Sequence, residues 1–116
     1  MQYMMLIYEN EKAWESMTEA DKTAGMNAYF EFTKAAQAAG QMVAGDALQP
    51  TSTATTVRVR DGKVQLTDGP YVETREQLGG YYLIEAKDLD EATAIAARIP
   101  GAHHGAIEIR PVVVFG

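Results

Sequence analysis

The chain has 116 residues, 16 Asp plus Glu against 10 Lys plus Arg, no cysteine and 47% hydrophobic residues, which describes a single small domain, residues 1–116, of ordinary globular composition. Without cysteine there is no disulfide framework, thiolate metal site or cysteine nucleophile, so a reducing, cytoplasmic setting is expected. A net charge of -6 with scattered basic residues argues against nucleic acid, and no apolar run approaches the roughly 20 residues of a membrane helix. Met1-Gln2-Tyr3-Met4 lacks the basic n-region of a signal peptide, and no leader is expected.

Tyr3 to Tyr8 (Tyr-Met-Met-Leu-Ile-Tyr) is apolar without alternation, the pattern of a strand covered on both faces, and belongs in the centre of a sheet. Ser16-Met17-Thr18-Glu19 reads as a capping box, in which hydroxyl and carboxylate each satisfy a free backbone donor, so a long helix is predicted to start there. Met17, Ala20, Ala24, Ala28, Phe32, Ala35 and Ala39 recur at three- and four-residue spacing as its sheet-facing stripe, and Gly40 stops it. Gln41 to Leu48 reads as a strand with Gly45 as a bulge or bend, closed by Pro50.

The clearest local signal follows. A two-residue Asp61-Gly62 turn of type I′ joins Val57-Arg58-Val59-Arg60 to Lys63-Val64-Gln65-Leu66. This turn opposes Val59 to Val64 and Val57 to Leu66, so four aliphatic side chains share one face and Arg58, Arg60, Lys63 and Gln65 share the other. Gly79-Gly80 opens another two-sided apolar strand, Tyr81 to Ala86. Asp88 caps a second helix with Ala92, Ile95, Ala96 and Ile99 as its buried stripe, and Pro100-Gly101 terminates it. Ala106 to Val114 alternates as a last strand that ends, or becomes an edge, at Pro111.

The order β-α-β-β-β-β-α-β is that of a ferredoxin-like α+β core with its middle elaborated as a hairpin. Two helices cover one face of a sheet, yet the strands at Tyr3 and Tyr81 are apolar on both. A second copy laid sheet against sheet, a twofold homodimer, is the expected cover.

Thr67 to Tyr82 is neither strand nor helix by pattern and holds most of the chain's chemistry. Asp68 has two readings: a carboxylate held at the mouth of a cavity by the Gly69-Pro70 turn, with Glu73, Arg75 and Glu76 close by, or ordinary turn chemistry in which it caps its own backbone. The run Asp68-Gly69-Pro70-Tyr71-Val72-Glu73-Thr74-Arg75-Glu76-Gln77-Leu78-Gly79-Gly80-Tyr81-Tyr82 closely resembles the motif of the DGPF subgroup of the YCII-related (YciI-like) proteins. Met4-Met5-Leu6-Ile7-Tyr8, Asp90-Glu91-Ala92 and Ile107-Glu108-Ile109-Arg110-Pro111-Val112 resemble the family's first strand, second helix and closing strand. What the resemblance implies is a dimeric α/β barrel of ferredoxin-like subunits, with a cleft in each subunit near the dimer contact and a biochemical activity that is largely unassigned. Tyr71 replaces the subgroup's Phe, adding a phenol that either donates into the cleft or reaches solvent. A His-Asp dyad suggested for the YciI branch draws its histidine from the first half of the chain, where this sequence has none before His103.

Adjacent His103 and His104 point in opposite directions in an extended segment and chelate one metal poorly, so a solvated loop is expected and no metal or cofactor is. Glu108 and Arg110 share one side of the last strand, either as an ion pair at a sheet edge or with Arg110, and Arg58 from the hairpin, holding a ligand's anionic group. Tyr3, Tyr8, Tyr81 and Tyr82 form an aromatic set for core or dimer packing, or for a ligand. The candidate ligand-binding residues are therefore Tyr8, Arg58, Gly69, Pro70, Tyr71, Glu73 and Arg110, with Asp68 the candidate general acid or base. Two functions compete: a module that binds a small anionic metabolite, and a cofactor-independent small-molecule enzyme working through Asp68. A stand-alone structural dimer is the third.

Overall fold

The two uniformly apolar runs become the inner strands of a four-stranded antiparallel sheet in a computed structural model that describes residues 1–116. In chain order the elements are β1 (Gln2–Glu9), α1 (Glu11–Glu15), α2 (Glu19–Ala38), β2 (Met42–Ala47), β3 (Thr55–Arg60), β4 (Lys63–Asp68), β5 (Gln77–Glu85), α3 (Leu89–Ala96) and β6 (Ala106–Pro111). Turns of 3₁₀ helix occupy Thr51–Thr53 and Pro100–His103. The sheet runs β2-β5-β1-β6, while β3 and β4 pair only with each other. Both β1 and β2 are antiparallel to the β5 strand between them, and β5 and β6 are likewise antiparallel to β1. This is an α+β chain made of two split βαβ units, compatible with a ferredoxin-like arrangement.

Strand register divides every side chain between the two faces. Tyr3, Met5 and Ile7 of β1 stand opposite Ile84, Tyr82 and Gly80 of β5, and opposite Pro111, Ile109 and Ile107 of β6. That face is the core: Tyr3, Met5, Ile7, Tyr82 and Ile84 are buried with Phe32 and Ala36 of α2 and Ala92, Ile95 and Ala96 of α3. The other face carries Met4, Leu6 and Tyr8 against Leu83, Tyr81 and Leu78, with no layer upon it. The four tyrosines of the aromatic set are therefore split. Tyr3 and Tyr82 pack inside, Tyr82 against Phe32 at 5.0 Å between ring centroids, whereas Tyr8 and Tyr81 lie on the uncovered side.

Several local expectations need correction. Asn10 caps a short helix, α1, by accepting from the Ala13 N–H (3.1 Å), so Ser16 is spent at that helix's end, donating its Oγ to Lys12 O (2.9 Å). The cap of α2 is Thr18, which accepts from the Asp21 N–H (3.1 Å), two residues later than the sequence pattern placed it. The buried side of α2 is Tyr29, Phe32, Thr33 and Ala36, not the predicted alanine stripe, of which Phe32 alone is buried. Alanines sit all round this helix, so a helical period can be drawn along adjacent faces, and the large aromatic rings decide which one turns inward. In β2 the register slips between Met42 and Ala44, while Gly45 makes room for the Tyr82 ring, whose Cδ1 lies 2.6 Å from where a Cβ would be. β5 starts at Gln77 rather than at the glycines, whereas β6 stops at Pro111 as expected.

The second helix follows its pattern closely. Asp88 accepts from the Glu91 N–H (2.8 Å), Glu91 accepts in return from the Lys87 N–H (3.2 Å), and Ala92, Ile95, Ala96 and Ile99 are all buried. The hairpin likewise has its predicted register, Val59 with Val64 and Val57 with Leu66, around Asp61 and Gly62 at φ 52° and 73°. Its four aliphatic side chains remain 57–68% exposed, because β3–β4 stands clear of the main sheet. The molecule is accordingly flat, 49 × 47 × 19 Å, with a radius of gyration of 16.2 Å, against about 13 Å for a compact domain of this length.

Two polar contacts fasten the helical layer to the sheet, one of them between the Thr33 and Tyr82 hydroxyls at 2.8 Å. The Tyr29 hydroxyl donates to Glu9 Oε1 (2.5 Å), and Gly101 passes so close that an added Cβ would lie 2.6 Å from that hydroxyl and collide with the Glu9 oxygen. Burial, then the hydrogen bond and negative charge of Glu9, push the Tyr29 phenol well above the ordinary tyrosine range. A folded value above the unfolded one, near 10, leaves this contribution whole below about pH 10 and erodes it as pH climbs further. Tyr29→Phe is expected to lower unfolding free energy by about 1–2 kcal/mol in urea titrations at pH 7. The deficit should narrow above pH 10, and a deficit constant across pH would count against the assignment.

Candidate functional site

A cleft of about 700 Å³ opens at the end of the sheet where β1 finishes and β5 begins, a size usual for small-molecule sites. Its floor is Tyr8, Gln77 and Leu78. One wall is the segment from Leu48 to Ala54, held to β5 by the Leu48 N–H donating to Gly79 O (2.8 Å). The facing wall is Pro70, Tyr71, Val72 and Thr74. A second cavity, about 540 Å³ and broadly open, lies on the helical side between α2 and the Pro100–His103 turn, and His103 and His104 are exposed there.

The Asp-Gly-Pro corner shapes the wall through its backbone. Gly69, at φ 105°, donates its N–H to Ala54 O and accepts from Thr56 Oγ1, both at 2.8 Å, which stitches the end of β4 to the start of β3. Pro70 then turns the chain into the cleft. Only a residue tolerant of positive φ can make this reversal, which accounts for the glycine.

Two side chains that the sequence did not flag frame the opening. Glu11, in the first turn of α1, accepts from both the N–H and the Oγ1 of Thr51 at 2.8 Å each. Gln77 accepts from the Glu11 N–H at 3.0 Å through Oε1 and donates through Nε2 to Thr74 O. The Thr74 hydroxyl donates to Glu76 O. One chain of hydrogen bonds thus runs from the wall at Thr51, through α1, to the wall at Thr74. A five-residue helix leaves no periodicity to reveal Glu11.

The lining is uncharged, and its ionisable groups are the Tyr8 and Tyr71 phenols. Arg58 stands at the rim with its guanidinium carbon 5.1 Å from the centre of the Tyr71 ring, a stacking contact, and has no carboxylate within 4.0 Å. Of the sequence candidates, the fold brings Tyr8, Pro70 and Tyr71 into the cleft, with Gly69 behind them and Arg58 over Tyr71. It does not bring Asp68, Glu73 or Arg110 there. Asp68 is exposed at the end of β4 and its carboxylate accepts no hydrogen bond; Glu73 is exposed outside the lining. Arg110 forms a surface ion pair with Glu108 (3.4 Å), opposite Met4 on β1, four residues from Tyr8, a strand distance of about 13 Å. Across the sheet, half-buried Tyr81 donates to Asp46 Oδ2 at 2.7 Å, which raises its phenol above the ordinary range.

Residues 1–116 match the YCII-related domain from end to end. The chain belongs to the YCII-related family. It is also 32% identical, over 117 residues, to an uncharacterized protein of Rhizobium meliloti (strain 1021), an alignment that covers 99% of this chain and 94% of that one. Membership of the YCII-related family thus fixes kinship across the whole chain, while the relative carries no stated activity. No helix is long and apolar enough to cross a membrane.

Glu11→Ala leaves both Thr51 donors without their partner. A loss of about 1–3 kcal/mol in unfolding free energy is expected, together with faster amide exchange at Thr51. Unchanged exchange there would show that the Glu11 bridge does not hold the wall.

Proposed function

We propose that this YCII-related chain is a small-molecule binding domain whose cleft takes a compact apolar or aromatic body carrying one acid group. The observation that carries this reading is the pairing of an uncharged, aromatic-and-aliphatic cavity with one guanidinium at its rim that has no carboxylate partner. An apolar body gains from leaving water in such a lining. Arg58, stacked on Tyr71, presents a planar donor set suited to a carboxylate, and the stack restricts the guanidinium before a ligand arrives. The Thr51, Thr53 and Thr74 hydroxyls and the Gln49 and Gln77 amides supply hydrogen bonds for orientation.

The second part of the proposal is a twofold homodimer. Met4, Leu6, Tyr8, Tyr81 and Leu83 form the apolar centre of a sheet face with nothing packed upon it, flanked by Glu108 and Arg110 on β6 and by Asp46 on β2. Tyr8 and Leu78 belong both to that face and to the cleft floor. A second copy laid on the sheet therefore also roofs the cleft, leaving its interior drier and its single cation stronger. The alternative, acid-base catalysis by Asp68, gains no support from the geometry, since that carboxylate lies in solvent outside the lining.

Benzoate and benzamide test the ligand class. Benzoate is expected to raise the melting temperature more than isosteric benzamide, and Arg58→Gln to abolish the difference while retaining the native melting temperature without ligand. Stabilisation by neither compound, or an equal benzoate effect in the variant, overturns the reading. Sedimentation at low micromolar concentration should give the mass of two chains; a monomer there removes the roof.

A further inference from the structure

The hairpin β3–β4 and the segment after β6 are the two barest apolar parts of the molecule. Val57, Val59, Val64 and Leu66 are 57–68% exposed on one face of the hairpin. Val113, Val114 and Phe115 are 68–90% exposed beyond the last ladder bond, in which the Val112 N–H donates to Gln2 O (2.9 Å). A two-stranded hairpin is marginal by itself in water, and single-chain packing leaves both surfaces wet.

These surfaces lie at opposite ends of the sheet. The hairpin is rooted beside the cleft, at the Tyr8 end of β1, where Gly69 and Ala54 are joined. The segment leaves β6 at Pro111, which pairs with Tyr3 at the other end of the same strand. A twofold axis lying between two facing sheets and running across their strands sets the Tyr8 end of one copy over the Tyr3 end of the other. Each hairpin is then rooted at the end of the paired sheets from which the other copy's segment leaves, twice, by the same operation, with the width of the sheet from β5 to β6 left for the two arms to span.

We propose that the aliphatic face of the hairpin grips residues Val112–Phe115 of a second copy, and that this exchange holds the rim of the cleft. Area favours the arrangement. A stable interface removes roughly 800 Å² per partner from water, and the side chains of the open sheet face are already half-buried by their neighbours. The hairpin and the segment hold the larger unused apolar area. Charge agrees as well: Arg58, Arg60 and Lys63 lie on the hairpin's opposite face, and the one charged residue on the gripping side is Asp68 at its root, beyond the four aliphatic side chains. Function follows from connectivity, because the same hairpin bears Arg58 and runs directly into the Asp68-Gly69-Pro70 corner. Anchoring it from the other copy fixes the position of the rim guanidinium over the cleft.

This inference rests on the dimer of the proposed function, and the test separates the two. The chain has no cysteine, so Val59→Cys and Val114→Cys introduce the only thiols, each at an exposed position where folding tolerates the change. Under mild oxidation the double variant is expected to run as a covalent two-chain species on a denaturing gel without reductant, and each single variant as one chain. A dimer by sedimentation that yields no cross-link, or a link within one chain, overturns the grip and leaves the sheet-to-sheet dimer standing. A monomer by sedimentation overturns both.

Discussion

A four-stranded antiparallel sheet with α2 and α3 both on one side sets the terms for everything else in this molecule. Burying Tyr3, Met5, Ile7, Tyr82 and Ile84 against α2 and α3 builds the core, and strict strand alternation then forces Met4, Leu6, Tyr8, Tyr81 and Leu83 to the opposite side. No one-residue adjustment of register relieves this, since both parities are apolar. The chain has kept greasy side chains where a solvent-facing sheet would carry polar ones. That choice is what makes a partner surface meaningful, and it places the cleft floor on the same plane.

Much of this architecture was readable from the residues, for identifiable reasons. The Asp61-Gly62 hairpin could be registered in advance because turn geometry and aliphatic spacing demand the same pairing. The α3 helix was equally legible: its reciprocal cap and its four buried apolar residues leave one solution. The α2 helix was not, because alanine supplies no size contrast and the inward face is chosen by Tyr29 and Phe32 through contacts made far away in sequence. The early cap was misplaced for a related reason. Ser16 and Thr18 are chemically equivalent signals, and only the presence of α1 assigns the first to a helix end and the second to a helix start.

The site was legible in part. Pro70, Tyr71 and Tyr8 converge because the Asp-Gly-Pro corner and the end of β1 are both fixed by backbone pairing. Arg58 reaches the rim because its parity on β3 sets it opposite the aliphatic face. Arg110 has the right chemistry in the wrong place, displaced along the strand by a register that no sequence pattern specifies. The frame through Glu11, Thr51 and Gln77 is tertiary in origin, joining segments 40 and 66 positions apart, and so lay beyond any local rule.

The isolation of β3–β4 has one more meaning. Because its backbone pairs only with itself, a change in the length of this arm leaves every ladder of the main sheet intact. The grip and the rim guanidinium, both carried on this arm, can therefore be altered together while the floor beneath keeps its pairing.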